Sequence, residues 1–327
     1  MGVNGALLAI DAGNSKTDVA VLSPGGRVLG EARGGGFQPP VVGVETAVDR
    51  LAEIVGRAWA AAGGAGTPPG FTYVAACLAN ADLAVEEEGL KAALEARGWS
   101  RSVLVRNDTF AILRAGIDEP RGVAVVCGAG INCVGMTPDG RTARFPAIGK
   151  ISGDWGGGGG LAEEALWWAA RAEDGRGEPT ALARTLPAHF GLPTMHALIE
   201  ALHLGRIPAV RRHELAPVLF RTAAEGDPVA RALVDRQAEE VVAMASVALG
   251  RLGLLDEAAP VVLGGSVLAA RHPQLDGRIA ELLAVKAPKA RVRVVTAPPV
   301  LGAGLLALDA CGEGPEAAAR LREHYGA

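Results

Sequence analysis

Three short turns in this sequence contain glycine and small polar residues of the kind that bind phosphate. The first turn lies between two apolar, strand-like segments, and its residues are Asp11, Ala12, Gly13, Asn14, Ser15, Lys16 and Thr17. A glycine hairpin exposes backbone N–H groups to phosphate oxygens, Lys16 adds a positive charge, and Asp11 is suited to hold hydrated Mg²⁺. An ordinary β-hairpin with a polar tip has the same pattern, so this turn alone does not distinguish a phosphate-binding site from a plain hairpin.

Two further turns repeat the pattern later in the chain. The second turn connects residues 123–126 to residues 132–136, and its candidate phosphate ligands are Gly128, Ala129, Gly130 and Asn132. The third turn consists of Gly264, Gly265 and Ser266, and it connects an apolar strand to a helix. Since a glycine pair lets a flat base approach the backbone closely, this turn suits an adenine ring. Each turn alone is also compatible with a plain connection, but their order is what a nucleotide held in a cleft between two lobes requires.

Asp108 is the candidate general base. It follows the strand-like residues Val103–Val105 and precedes a helix that begins at Thr109, which places it at the carboxyl edge of a sheet. Transfer of a phosphoryl group to a hydroxyl needs such a base beside the hydroxyl. An unperturbed aspartate is ionised at neutral pH, so Asp108 would be ready to act as a base without a large pKa shift. The sequence Asn107-Asp108-Thr109 is equally typical of a helix N-cap, and the pattern leaves both roles open.

A second candidate aspartate precedes a run of five glycines. Gly153 and Asp154 lie just before Gly156–Gly160, and a helix that contains Leu161 follows. Glycine runs of this length are typical of flexible loops, because glycine restricts the backbone least. The alternative is a structured, ligand-facing loop in which Asp154 contacts a substrate or supports a metal site.

The elements that position these residues alternate between strand-like and helix-like segments, which indicates an α/β protein. The order of strand, glycine turn, strand and Pro/Gly turn occurs once after residue 7 and again after residue 122. This weak repeat predicts two related lobes, residues 1–118 and residues 119–327. A terminal helix that starts near Leu301 or Ala303 is able to pack back on the first lobe.

Composition excludes several classes of protein. Of the 327 residues 49% are hydrophobic, and the formal net charge is −4 without a basic tract, so we expect no nucleic-acid partner. The chain start lacks the basic region of a signal peptide, and the apolar residues 241–255 are too short for a membrane span. We therefore expect a cytoplasmic protein without a membrane partner. The four cysteines have no metal-site spacing: Cys77, Cys127, Cys133 and Cys311.

Together, the three turns, Asp108 and the Gly153-Asp154 loop resemble the BadF/BadG/BcrA/BcrD-type ATPase family and, within it, the N-acetylglucosamine kinases. The resemblance implies an α/β, two-lobed actin-like ATPase fold of the ribonuclease H-like type, with an interlobe cleft. It implies that Asp108 is the catalytic base and that all three turns bind ATP, with Mg²⁺ held near Asp11 through water. It also implies the residues that face the acceptor: Gln38, Asp108, Asn132, Gly153 and Asp154.

The implied reaction is ATP-dependent phosphorylation of an amino sugar, with N-acetylglucosamine 6-phosphate as the leading product and a homodimer as the assembly. Three departures from the family pattern leave the acceptor open among glucosamine, N-acetylmuramate and glucose. Gln38 stands where these kinases carry an asparagine, the turn 79–82 lacks the usual glycine pair, and the segment around Ile148 lacks a tryptophan.

Two other functions remain as alternatives. The same family contains ATPase activators of 2-hydroxyacyl-CoA dehydratases and benzoyl-CoA reductase. In these activators, paired cysteines of two subunits hold one iron–sulfur cluster between them. Cys127 and Cys133 flank the second turn, where a dimer surface is not expected. A sugar-responsive regulator would need a DNA-binding module, and six residues before the first strand are too few for one.

Overall fold

A computed structural model describes residues 5–68 and 70–327. The prediction about the chain start therefore falls, for residues 1–4, outside the described residues. The described residues form two five-stranded sheets with helices packed between and around their strands, which confirms the predicted α/β class.

The elements follow one another in a regular order. The strands are β1 (Leu7–Ala12), β2 (Lys16–Leu22), β3 (Val28–Gly35), β4 (Tyr73–Leu78), β5 (Val103–Asn107), β6 (Gly122–Cys127), β7 (Ile131–Met136), β8 (Thr142–Arg144), β9 (Pro260–Gly264) and β10 (Arg291–Val294). The helices are α1 (Pro39–Val42), α2 (Val44–Ala61), α3 (Ala84–Glu95), α4 (Thr109–Gly116), α5 (Gly157–Glu173), α6 (Leu182–His189), α7 (Met195–His203), α8 (Leu215–Ala224), α9 (Pro228–Leu252), α10 (Gly265–Ala269), α11 (Pro273–Lys286), α12 (Pro299–Ala310) and α13 (Pro315–Tyr325).

The chain divides into two compact units that are each discontinuous in sequence. Unit 1 contains the residues up to Ala124, Val134–Pro146 and Val295–Ala327. Unit 2 contains Val125–Cys133 and Ala147–Val294. The predicted lobe boundary after residue 118 stays a prediction.

The first sheet has the strand order β3-β2-β1-β4-β5. Strands β1, β2 and β3 pair antiparallel as a meander, and β4 and β5 run parallel to β1. Leu8 and Ile10 pack on one face with residues of α2, whereas Leu7 and Ala9 pack on the other face with residues of α12. Because both faces are covered, β1 is buried along its whole length.

Helix α12 begins at Pro299, close to the predicted start of the terminal helix. It packs on α4 so closely that a Cβ atom on Gly302 would lie 1.8 Å from the carbonyl oxygen of Ala111. Only glycine permits this approach of the two helix backbones. The C-terminal part of the chain thus belongs to the core of unit 1.

The second sheet has the order β10-β9-β6-β7-β8, with β9 and β10 parallel and β7 and β8 antiparallel. Helices α5 to α11 belong to unit 2. The apolar segment 241–255 lies largely in the 25-residue helix α9, whose buried residues recur along its length. Among the described residues, none of the helices is long and apolar enough to cross a membrane.

Candidate active site

The first turn is the hairpin that connects β1 to β2. It is closed by a hydrogen bond of 2.9 Å from the Gly13 N–H to the Lys16 carbonyl. Asn14, Ser15 and Lys16 are exposed, whereas the Thr17 side chain is buried. The structure thus leaves the small polar residues of this hairpin accessible to a ligand, as a phosphate-binding turn requires.

A row of charged residues crosses the sheet beside this hairpin. Asp11 on β1 lies opposite Asp18 on β2, and Asp18 lies opposite Arg33 on β3. Arg33 donates two hydrogen bonds of 2.5 and 3.1 Å to Asp18, and the Lys16 Nζ lies 3.4 Å from the same carboxylate. Asp18 and Arg33 were not among the predicted site residues, although the two-residue period of a strand places Asp18 on the same side as Lys16.

Asp11 is buried beside two other carboxylates. The pKa of Asp11 is raised to about 8, mainly by burial and also by the charges of Asp108 and Asp18, while Lys16 and Arg33 oppose the shift. A cation would relieve this excess of negative charge. Among residues 5–68 and 70–327, no cluster of three His, Cys, Asp or Glu side chains could enclose a metal. One carboxylate fits Mg²⁺ that keeps most of its waters, which is how this ion is commonly bound beside phosphates.

Asp108 lies at the carboxyl edge of the first sheet, directly after β5. Its N–H donates to the carbonyl of Leu78 at the end of β4, at 3.2 Å. Asn107 supplies the cap of α4, because its Oδ1 accepts the Thr109 N–H at 2.9 Å. The Asp108 side chain makes no capping hydrogen bond. Of the two roles that the sequence left open, capping is thus performed by Asn107, and the Asp108 carboxylate remains available.

Asp108 does not have the pKa of a free aspartate. Burial raises the pKa of Asp108 to about 6, and the backbone N–H groups of Thr109 and of Asp108 itself act in the opposite direction. With a pKa near 6, about nine-tenths of the carboxyl groups are ionised at pH 7. The group is a stronger base than a free aspartate and still carries its charge at neutral pH.

Gln38 lies against the first turn, because its Nε2 donates to the Asn14 carbonyl at 3.0 Å. Asn80, which follows β4, joins the same assembly: its Nδ2 donates to Asn14 Oδ1 at 3.0 Å and to the Phe37 carbonyl at 3.1 Å. Asn80 has a φ of 63°, a left-handed conformation that asparagine tolerates better than most residues. From the sequence, the turn at residues 79–82 was noted only because it lacks a glycine pair. The tolerance of asparagine for a left-handed backbone could have identified Asn80 as the turn residue.

In unit 2, the glycine run is helical, which excludes the flexible loop that the sequence left open as one of two alternatives. Helix α5 begins at Gly157, and the N–H groups of Gly158 and Gly159 donate to the carbonyls of Gly128 and Ala129, each at 2.8 Å. The first turn of α5 is therefore hydrogen-bonded to the second glycine turn. This arrangement fixes the turn and leaves Ala129 and Gly130 exposed.

Close packing explains why these positions are glycine. A Cβ atom on Gly157 would lie 2.4 Å from the backbone carbon of Gly130, and a Cβ on Gly156 would lie 2.2 Å from the Gln237 side chain. Both residues also have positive φ angles, of 70° and 104°. Gln237 is fully buried and accepts the Gly157 N–H at 2.9 Å. Side chains larger than hydrogen would separate α5 from the second turn.

Asp154 lies in the loop before α5 and faces a cavity of about 220 Å³ lined by Gly130, Lys150 and Trp155 among others. Its Oδ2 accepts the Gly149 N–H at 3.0 Å and the Ser152 hydroxyl at 2.5 Å. Gly153 has a φ of 84° and turns the chain at this point. The other carboxylate oxygen, Oδ1, makes no hydrogen bond within the described part of the chain.

The third turn has the predicted order of strand, glycine pair and helix. Gly264 ends β9, and Gly265 begins α10 with a φ of 83°. A Cβ on Gly265 would lie 2.3 Å from the carbonyl oxygen of Cys127, at the end of β6. The third turn therefore lies directly against the start of the second turn, within unit 2, and Ser266 beside it is exposed. Asn132, on the other side of the second turn, accepts the Cys133 N–H at 2.7 Å.

The thiols of Cys127 and Cys133 are fully buried, and burial raises the pKa of both. Iron–sulfur ligation requires thiolates at a site that a cluster can reach. These two cysteines therefore do not fit the subunit-bridging cluster of the activator alternative.

The structure brings the candidate residues together in two groups. In unit 1, the first turn, Asp11, Gln38 and Asp108 occupy one edge of the first sheet. In unit 2, the second turn is hydrogen-bonded to the start of α5 and contacts the third turn, and Asp154 shares a cavity with Gly130. Each predicted site residue thus belongs to a group with a defined local geometry.

Relatives with assigned functions are sugar kinases. The chain is 24% identical over 233 residues to the N-acetylmuramic acid/N-acetylglucosamine kinase of Clostridium acetobutylicum, a match that covers 71% of this chain and 76% of that protein. It is 26% identical over 222 residues to the N-acetyl-D-glucosamine kinase of Dictyostelium discoideum, a match that covers 66% of this chain and 68% of that protein.

Solved structures share the fold. A provisionally assigned N-acetylglucosamine kinase from Chromobacterium violaceum matches with a TM-score of 0.69 and 22% identity, over 93% of this chain and 99% of its own. A glucokinase of the ROK family from Streptomyces griseus, solved with glucose and AMPPNP, matches with a TM-score of 0.56 and 17% identity over 93% and 99%. These likenesses confirm the predicted actin-like ATPase fold.

The match to a family model extends through nearly all the segments described above. It runs from residue 8 in β1 to residue 307 in α12 and so includes all three turns, Asp108 and Asp154. The chain belongs to the BadF/BadG/BcrA/BcrD ATPase family.

Proposed function

We propose that this protein is an ATP-dependent amino-sugar kinase that converts N-acetylglucosamine to N-acetylglucosamine 6-phosphate. The observation that carries the proposal is the state of Asp108, a carboxylate at the carboxyl edge of the first sheet that takes no part in helix capping. Its pKa of about 6 suits a base that accepts a hydroxyl proton near neutral pH. The names of the two relatives support an amino sugar as the acceptor.

Membership of an ATPase family implies that the protein uses ATP. We assign the phosphate contacts to the first turn, with Lys16 as the cation, and to the exposed part of the second turn. Lys16 is held near Asp18 without being buried, so its ammonium group can move to a phosphate oxygen. We assign the base to the third turn, beside the exposed Ser266. The full set of nucleotide residues is Asp11, Gly13, Asn14, Ser15, Lys16, Thr17, Gly128, Ala129, Gly130, Asn132, Gly264, Gly265 and Ser266.

Asp11 would hold Mg²⁺ through water, and the bound ion would neutralise charge on the transferring phosphoryl group. Asp11 would then lose its proton, because a nearby cation lowers the pKa of a carboxyl group. Asp108 would accept the proton of the 6-hydroxyl as the oxygen attacks the γ-phosphorus. Gln38, Asn132, Gly153 and Asp154 would orient the sugar, Asp154 through the Oδ1 that its own loop leaves unused.

The homodimeric assembly and cytoplasmic location expected from the family resemblance are part of the proposal. Sedimentation of the purified protein tests the first, and fractionation of the source cells tests the second.

The test is ADP release with Mg²⁺ and ATP across a panel of acceptors, with Asp108→Asn measured in parallel. The panel contains N-acetylglucosamine, glucosamine, N-acetylmannosamine, N-acetylmuramate and glucose. We expect turnover with an N-acetylated sugar and a loss of about 100-fold or more in Asp108→Asn, which is the usual range for removing a general base. Calorimetric binding of ATP to Asp108→Asn is the control for folding and nucleotide affinity. ADP release that ignores every sugar and survives the substitution would overturn the proposal.

A further inference from the structure

Unit 1 contains a cavity of about 470 Å³ that begins at Gln38 and extends along α2. This volume lies within the range of roughly 300–1,000 Å³ that is typical of small-molecule sites. Phe37, Leu51 and Ile54 form an apolar floor, and all three are buried. Thr17 and Asn14 of the first turn and Gln38 supply polar groups, and three charged residues of α2 form the rim: Arg50, Glu53 and Arg57.

The charges on the rim are not neutralised by one another. Arg50 and Glu53 each form neither a hydrogen bond nor an ion pair with the residues that the structure describes. Arg57 donates through Nη2 to the Arg33 carbonyl at 3.0 Å, and it has no carboxylate partner in the described part of the chain. Two guanidinium groups therefore border one cavity, and each has N–H groups that donate to none of the described residues.

The cavity is continuous with the segments that carry the proposed acceptor residues. Gln38 and Asn14, which are hydrogen-bonded to each other, belong to its wall. Asn14 is in turn bonded to Asn80, which follows the end of β4. That same end of β4 accepts the N–H of Asp108. A subsite in this cavity requires that a substituent of a sugar bound near Asp108 extends past Gln38 towards α2.

We propose that this cavity is a subsite for an acceptor substituent that bears a carboxylate, with Arg50 and Arg57 as the residues that recognise it. The inference rests on the proposed kinase function. A planar guanidinium group presents paired donors that match the two oxygens of a carboxylate, and such charged hydrogen bonds are stronger than neutral ones. An uncharged sugar has no anionic group to pair with either arginine.

The experiment compares N-acetylmuramate, a sugar that carries a carboxylate on an ether substituent, with N-acetylglucosamine, which lacks it. The ratio of kcat/KM values for the two sugars is measured in the wild type, Arg50→Ala, Arg50→Glu and Arg50→Lys. We expect the ratio to fall about tenfold or more in Arg50→Ala, to fall further in Arg50→Glu and to recover partly in Arg50→Lys. Arg101→Ala, an exposed arginine of unit 1 outside this cavity, is the matched control and should leave the ratio unchanged.

Failure of this inference and failure of the proposed function are distinguishable. Turnover of N-acetylglucosamine without turnover of N-acetylmuramate, or a ratio that Arg50→Ala does not change, overturns the subsite and leaves the kinase intact. A changed KM for ATP with an unchanged ratio overturns it too, since Arg50 would then act on the nucleotide phosphates. If no sugar is phosphorylated, the function fails, and calorimetry with N-acetylmuramate decides the subsite. Binding that Arg50→Ala weakens supports it, and no binding by the wild type overturns it.

Discussion

The guanidinium group of Arg114 donates two hydrogen bonds to the carboxylate of Asp309, with distances of 2.7 and 3.0 Å. The Arg114 side chain is only 3% exposed, and its Nη1 also donates to the Ile117 carbonyl at 2.9 Å. The pair joins α4, which begins directly after Asp108, to α12, near the C-terminal end of the family match. The position of the proposed base thus depends on a helix 195 residues away along the chain.

We expect Asp309→Ala to lower the free energy of unfolding by about 2–4 kcal/mol, because it leaves a buried guanidinium group without its counter-ion. Asp309 is one-third exposed, so water offsets part of the loss. Urea denaturation of the protein, followed by a spectroscopic signal that comes from unit 1, measures the change in the free energy of unfolding. Glu95→Ala, which breaks an exposed pair with Lys91 in the same unit, is the control and should alter stability little. An equal change in both variants would show that the Arg114–Asp309 pair contributes no more to the free energy of unfolding than an exposed ion pair does.

Local patterns were sufficient to predict much of the first sheet. The β1–β2 hairpin and the strand that ends before Asp108 depend on short apolar runs and on turns whose residues are adjacent in sequence. The three glycine turns were found for the same reason. Phosphate-type turns, and an aspartate directly after a strand such as Asp108, are recognisable from their residue types without knowledge of any distant contact.

Contacts between distant segments account for what the sequence did not predict. Gly157–Gly160 form the start of α5 against intrinsic propensity, since glycine is a poor helix former. Hydrogen bonds from Gly158 and Gly159 to the second turn, about thirty residues earlier, offset that cost. The pairing of Asp18 with Arg33 depends on strand register, and the pKa of Asp108 depends on burial. Neither the pairing nor the pKa can be predicted from the residues of one segment alone.

The activity should rise with pH through about 6. Asp108 must be ionised to accept a proton, and burial raises its pKa to about 6, so protonation removes the base below that pH. We expect kcat/KM for the sugar, at saturating Mg²⁺ and ATP, to fall about tenfold for each pH unit below 6. Above pH 7 the effect of this group should be nearly constant.

ATP affinity measured at each pH is the control, because it separates ionisation of the nucleotide from ionisation of the enzyme. A profile without inflection between pH 5 and 7 would contradict the role of Asp108. An inflection near pH 4 would mean that the carboxyl group is not desolvated in the working enzyme.

Asp11→Asn should stabilise the protein without ligand at alkaline pH. The pKa of Asp11 is about 8 in the folded protein against 3.8 ordinarily, so the folded state retains a proton that the unfolded state releases between these values. The stability from this group is complete below pH 4 and is lost as the pH rises to 8, by up to about 1.4 kcal/mol per pH unit. Asparagine cannot ionise and avoids the loss.

Thermal unfolding of both proteins from pH 4 to pH 8 measures the difference. We expect similar stability at pH 4 and an advantage for Asp11→Asn that grows with pH, together with loss of kinase activity. A difference that does not vary with pH would show that Asp11 has an ordinary pKa. Mg²⁺ with ADP should narrow the difference at pH 8, because a cation favours the ionised carboxylate.

Gly157 and Gly160 offer a matched pair within one helical turn. Gly157→Ala places a Cβ 2.4 Å from the backbone of Gly130 at a φ of 70°, so the second turn or α5 must move. We expect a loss of about 2 kcal/mol or more and weaker ATP binding. A Cβ on Gly160 meets no atom within 4 Å, and alanine is the better helix former, so Gly160→Ala should raise stability by about 0.5–1 kcal/mol. Calorimetric unfolding and ATP titration of both variants test this, and equal losses in the two would mean that the whole run, rather than contact with the second turn, requires glycine.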